Sequence, residues 1–82
     1  MRKTRKLTEA ELAAVAREFR RKTGITKSEA GRRLGVTKGT IHQAEDYPEI
    51  SLTKLRRKMI ETFSPYRVIG PVFLLERKSA HS

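Results

Sequence analysis

The chain has 82 residues, enough for one small domain with a modest core but not for a deep substrate cavity. It carries 19 Lys and Arg against 9 Asp and Glu, a formal net charge of +10, which predicts a polyanionic partner: DNA, RNA or an anionic membrane surface. The absence of cysteine excludes disulfides and thiolate metal sites. Because no apolar run approaches the roughly 20 residues of a membrane span, we expect a cytoplasmic protein.

Four helices are predicted from N-capping residues and from the spacing of apolar residues. The predicted N-caps, in chain order, are Thr8, Thr26, Thr37 and Ser51. Glu11 and Glu29, each three residues after a threonine, predict capping boxes for the first two helices. The residues expected to end the four helices are Gly24, Gly35, Pro48 and Pro65.

Residues 66–77 have the composition of β-structure, interrupted by Gly70 and Pro71. They are predicted as one kinked strand or as two very short strands. Alternation places Val68, Val72 and Leu74 on one face, and Ile69, Phe73 and Leu75 on the other. Because a lone apolar strand invites pairing with another chain, we expect an antiparallel homodimer. Its interface is predicted to contain Val68, Ile69, Val72, Phe73, Leu74 and Leu75.

Residues 26–45 have the spacing of a helix-turn-helix motif. Gly31 is the small residue expected where the two helices cross, and Gly35 permits a positive φ in the turn. The apolar wedge between the helices is predicted to consist of Ala30, Leu34, Val36, Ile41 and Ala44.

This segment resembles the helix-turn-helix of the Cro and lambda-repressor-like family, also called the XRE family. The matching positions are Thr26, Leu34, Gly35, Val36, Thr37, Ile41 and Glu45. The chain departs from the pattern at Lys27, Ala30, Gly31 and Ala44, where the family usually has Gln, Leu, Ala and an aromatic or aliphatic residue. The resemblance extends over residues 8–63 as a helical domain, and the C-terminal strand is similar in architecture to the dimerisation strand of the smaller Cro proteins.

The resemblance implies roles residue by residue, with the helix from Lys38 to Glu45 as the recognition helix in the major groove. The implied base contacts are Lys38, Gly39, Thr40, His42 and Gln43. The implied phosphate contacts are Thr26, Lys27 and Thr37. Glu45 would repel phosphate, so it is expected to be structural, either capping or pairing with a nearby arginine.

Two basic segments leave alternatives open. The N-terminal arm contains Arg2, Lys3, Arg5 and Lys6. It is a disordered tail, a minor-groove or backbone contact, or a short strand that pairs with residues 66–77 and tucks Leu7 inward. Arg56, Arg57 and Lys58 on the fourth helix form either a solvated face or a flanking phosphate contact.

The sequence therefore predicts a mainly α protein, a small four-helix domain with a helix-turn-helix plus a C-terminal β-strand used for dimerisation. The expected segments are 1–7 (arm), 8–63 (DNA-binding domain), 64–78 (dimerisation strand) and 79–82 (tail). The expected function is a sequence-specific transcriptional regulator, a repressor that binds a pseudo-palindromic operator on double-stranded DNA as a homodimer. The alternatives are an antitoxin whose C-terminal strand binds a protein partner, and a non-specific packaging protein. We expect no enzymatic activity, cofactor, metal or membrane role.

Overall fold

A computed structural model describes residues 6–69 and 73–78, excluding the side chains of Lys6, Phe73 and Leu74. This part of the chain is mainly helical, as predicted. Its helices are α1 (Glu9–Lys22), α2 (Lys27–Leu34), α3 (Lys38–Asp46) and α4 (Thr53–Phe63). Its strands are β1 (Lys6–Leu7), β2 (Tyr66–Ile69) and β3 (Phe73–Arg77). None of the described helices is long and apolar enough to cross a membrane.

The predicted helix starts are mostly confirmed by hydrogen bonds. The Thr8 hydroxyl accepts from the Glu11 amide at 3.1 Å, and the Glu11 carboxylate accepts from the Thr8 amide at 2.9 Å, a complete capping box. Thr26 accepts from the Glu29 amide at 3.1 Å. The Glu29 carboxylate, however, accepts hydrogen bonds from Arg32 and Arg33, so the second box is only half formed.

The predicted start of α4 is wrong by one residue, because the N-cap is Leu52 and not Ser51. The helix begins at Thr53, with Leu52 at the N-cap and no side-chain hydrogen bond in the cap. The Thr53 hydroxyl instead donates to the carboxylate of Glu9 on α1. A tertiary contact with α1 therefore takes the place of the local cap that Ser51 was expected to provide.

The core lies where α1 packs against α3 and α4, with α2 against α3 and the sheet against α4. Its buried apolar residues are Leu7, Leu12, Ala16, Ala30, Ile41, Ala44, Met59, Ile60, Phe63 and Val68. The predicted wedge is confirmed, because Ala30, Ile41 and Ala44 are buried while Leu34 and Val36 pack partly buried against them. The sheet and the helices thus share one core.

The C-terminal segment forms two short strands, the second of its predicted alternatives, and they pair with each other within the chain. β3 pairs antiparallel with both β1 and β2, in the order β1-β3-β2. Val68 lies directly opposite Leu75. Since directly opposed residues share a face of a sheet, these two side chains lie together, contrary to the predicted alternation.

The outer edge of β2 is covered by side chains of α4. The Val68 amide donates to the Glu61 carboxylate at 3.2 Å, and Arg57 donates to the Val68 carbonyl at 3.1 Å. Val68 itself is 3% exposed. The backbone groups of Val68 are thus satisfied and its side chain lies in the core, so the expected open edge of β2 is absent at this residue. The dimer interface and the homodimer stay predictions.

The N-terminal arm follows the third of its predicted alternatives where it is described. Lys6 and Leu7 pair with Leu74 and Phe73, and Leu7 is 5% exposed. The half-buried Ile69 and Leu75 belong to β2 and β3 of the same sheet. The predicted residues outside the described part are Arg2, Lys3, Arg5 and Val72, together with the tail 79–82.

Candidate nucleic-acid interface

The turn between α2 and α3 is tight because two glycines allow it. Gly35 ends α2 with φ of 75°, a left-handed conformation that favours glycine. The Val36 amide donates to the Gly31 carbonyl at 2.8 Å. A Cβ on Gly31 would lie 2.6 Å from the Val36 carbonyl oxygen. Gly31 is thus required by the backbone of the turn itself, a more specific reason than the helix crossing predicted from sequence.

Both predicted helix N-termini are formed as expected. The Thr37 hydroxyl accepts from the Thr40 amide at 3.1 Å and lies 2.9 Å from the Thr40 hydroxyl. Thr26 and Thr37 are exposed, whereas Thr40 is half-buried. The two capping threonines are therefore exposed residues, and the hydroxyls of Thr37 and Thr40 are engaged with each other.

Helix α3 has one buried side and one exposed side. Its buried residues are Ile41, Ala44 and Glu45. Its exposed residues are Lys38, Gly39, His42 and Gln43. The side chains of Lys38 and Gln43 make no hydrogen bond or ion pair with the residues that the structure describes. Four of the five predicted base contacts thus lie on the accessible surface of α3, and two of them keep their hydrogen-bonding groups free of described partners.

Two predicted DNA contacts are joined by an acidic residue that sequence analysis missed. The Lys27 ammonium group lies 2.8 Å from Nδ1 of His42 and 3.2 Å from Oδ2 of Asp46. His42 Nδ1 is also 2.9 Å from the same Asp46 oxygen, and Arg17 donates to the other oxygen at 3.2 Å. Burial raises the pKa of Asp46, but the Lys27 hydrogen bond and the charges of Lys27, His42 and Arg17 outweigh it and lower the pKa.

A buried ion pair fixes α3 against α1. Glu45 is 4% exposed and Arg20 is 8% exposed. Arg20 donates to both carboxylate oxygens of Glu45, with the Nη2 to Oε1 distance 3.0 Å, and to the Ile25 carbonyl at 2.7 Å. The expected pairing of Glu45 with an arginine is confirmed. The partner was not predicted, because Arg20 stands in a basic run that reads as a solvated helix end.

Arg56 is a structural residue, so neither of its predicted surface roles holds. Its side chain is fully buried, and it donates to the carbonyls of Ala44 and Tyr47 at 2.8 Å each. It also donates to Glu9 at 2.6 Å. A buried cation thus occupies the C-terminal end of α3, where the helix dipole favours positive charge. Its carboxylate partner lies 47 residues away in the sequence, so no local pattern signals it.

The outer face of α2 is partly neutralised. Glu29 forms ion pairs with Arg32 and, at 3.0 Å, with Arg33. The hydrogen bonds from these two arginines lower the pKa of Glu29. Two of the three basic side chains of α2, Arg32 and Arg33, are therefore already paired with a carboxylate.

Comparison with known proteins identifies no relative: no family model matches the chain, and no significant match occurs among curated proteins or solved structures.

Proposed function

We propose that this protein is a sequence-specific DNA-binding transcriptional regulator that uses α3 as its recognition helix. The observation that carries the proposal is the division of α3 into two sides. Arg20 and Arg56 hold its inner side against α1 and α4. Its outer side exposes Lys38, Gly39 and Gln43. A rigid helix with accessible polar groups satisfies the main requirement for reading base edges in the major groove.

Each exposed group on α3 suits a particular base edge. The Gln43 amide can pair bidentately with adenine, and the Lys38 ammonium group can donate to O6 and N7 of guanine. Gly39 has no side chain, which permits close approach of the backbone and leaves space for a thymine methyl group. With no described partners for Lys38 and Gln43, neither interaction requires an internal hydrogen bond to break.

The phosphate contacts in this proposal come from the helix N-termini. Thr26 and Thr37 are exposed residues at the starts of two helices, where the dipole favours an anion. The formal net charge of +10 would draw the chain to a duplex from any direction. Occupying an operator is then sufficient for repression, which needs no second domain.

The test is in-vitro selection of bound DNA from a random duplex pool at physiological salt, followed by a matched pair of variants. Lys38→Gln and Lys54→Gln remove the same charge from the first turns of α3 and α4, and both lysines are exposed. Lys38→Gln should weaken binding to the selected site by about 1–3 kcal/mol and relax the preference at one base pair. Lys54→Gln should lower the affinity for all sequences slightly and leave the consensus intact.

The outcome of the selection also decides between architectures. A two-fold symmetric consensus with half-sites about 10 bp apart would support a dimer that forms without pairing of β2. A single short consensus would indicate that one chain binds alone. A pool with no enriched sequence would refute the proposal, since charge alone gives binding with a steep salt dependence and little sequence preference.

A further inference from the structure

Three basic side chains from three helices converge on one carboxylate, that of Asp46. Arg17 comes from α1, Lys27 from the first residue of α2, and His42 from α3. The three contact distances to Asp46 lie between 2.9 and 3.2 Å. All of the contacting side chains are at least partly exposed, so the cluster lies at the surface and not in the core.

The Lys27 ammonium group is what a phosphate would bind, because Lys27 is a predicted phosphate contact. His42 lies beside it on the exposed side of α3. A carboxylate and a phosphate are both anionic acceptors of charge-assisted hydrogen bonds, so they compete for the same N–H donors. Because the surrounding basic side chains lower the pKa of Asp46, its carboxylate is ionised at neutral pH. A polyanion that binds Lys27 must therefore compete with Asp46 for the N–H donors of the ammonium group.

We propose that Asp46 is an internal competitor of phosphate that lowers the affinity of this surface for polyanions. The competition is for the N–H donors of Lys27 and Arg17, which Asp46 already binds. It does not depend on the proposed DNA-binding function.

The experiment compares Asp46→Asn with Glu49→Gln in the full chain. Both changes remove one negative charge, and Glu49 is exposed with no hydrogen bond or ion pair to the described residues. Binding is measured on heparin and on a random-sequence duplex across a salt series. Each additional phosphate neutralised steepens the salt slope by about 0.9, which corresponds to about 8-fold at 0.1 M salt relative to 1 M. We expect Asp46→Asn to show that gain and Glu49→Gln to show little.

A second comparison, of Asp46→Asn with and without Lys27→Met, identifies the group that Asp46 binds. Adding Lys27→Met to Asp46→Asn should remove most of the gain, because the ammonium group released by Asp46→Asn is then absent. Far-UV circular dichroism and urea unfolding check that the variants remain folded, since Asp46 also links α3 to Arg17 on α1.

The outcomes separate this inference from the proposed function. Equal affinities of Asp46→Asn and Glu49→Gln for heparin and random duplex would overturn the competition, whatever the selection experiment shows. A gain by Asp46→Asn in a chain that enriches no sequence would support the competition and refute the proposed function. A gain that persists in the Lys27→Met background would overturn the assignment of Lys27 as the released group.

Discussion

Replacing Gly31 by alanine tests whether the turn of the helix-turn-helix motif is as tight as its geometry indicates. Here a Cβ on Gly31 would lie 2.6 Å from the Val36 carbonyl oxygen and 3.1 Å from the Thr37 carbonyl carbon. Both contacts are to backbone, which cannot move without disturbing the cap of α3. The Gly31 carbonyl also accepts from the Val36 amide, so a displaced turn strains that hydrogen bond as well.

The expected magnitude follows from two opposing effects. Glycine to alanine inside a helix gains up to about 1 kcal/mol of stability. Overpacking against a rigid neighbour costs about 1–3 kcal/mol, and the 2.6 Å contact places Gly31→Ala near the upper end. Its net effect should be a loss of about 1–2 kcal/mol. Gly39→Ala is the matched control, because its nearest neighbour is the Thr37 hydroxyl at 3.8 Å, an ordinary contact, so it should gain stability.

Urea unfolding followed by circular dichroism measures both variants on the same scale, provided that the m-value is unchanged. We expect the two free energies of unfolding to differ by about 2–3 kcal/mol, which combines the loss in Gly31→Ala with the gain in Gly39→Ala. If Gly31→Ala is as stable as Gly39→Ala, the turn accommodates a methyl group. The argument that α2 and α3 are held at this separation by a missing side chain would then be wrong.

The buried ion pairs, the Thr37 cap and the basic side chains around Asp46 give four further expectations. Glu45→Gln should destabilise the fold by about 3–5 kcal/mol, because the Arg20 guanidinium group loses its charged partner while buried. A loss below about 1 kcal/mol in urea unfolding would show that water replaces the carboxylate as the partner of Arg20. Arg56→Met should cost a similar amount, since it leaves the carboxylate of Glu9 and two carbonyls without their donor; a melt that matches the parent would contradict this. Thr37→Ala should cost about 1 kcal/mol and Thr37→Ser much less, as measured by chemical denaturation, if the hydroxyl cap is what matters. The folded-state pKa of Asp46 lies below its unfolded value, so its contribution is present above about pH 4 and is lost as the pH falls through the folded pKa; thermal melts of Asp46→Asn between pH 5 and pH 3 should therefore vary less than those of the parent chain.

Local signals were sufficient for most of the helical framework. A threonine that caps a helix acts on an amide three residues away, so the sequence window that contains Thr8 and Glu11 also contains the whole interaction. The same holds for the left-handed glycine at Gly35. For this reason the starts of α1, α2 and α3 and the turn between α2 and α3 were predictable, and with them the exposed positions of α3.

Contacts between distant residues were not predictable, and they decide how α3 is held. Arg20 pairs with Glu45 across 25 residues, and Arg56 pairs with Glu9 across 47. In the sequence both arginines stand in basic runs, which are typical of solvated helix faces. Each is buried only because a carboxylate or a carbonyl from another element meets it, and no local window contains that partner.

The sequence by itself determined the helix-turn-helix, its glycine turn and the side of α3 that can face a ligand, because caps and helical periodicity act over a few residues. Only the tertiary structure decided which strands residues 66–77 pair with. Their composition predicts strands but does not specify a partner, since strand pairing depends on which edge reaches which. In the folded chain β3 pairs with both β1 and β2. Arg57 and Glu61 on α4 bind the Val68 backbone at the other edge of β2. At Val68, the edge that the sequence left open to a second copy is thus bound by the chain's own helix.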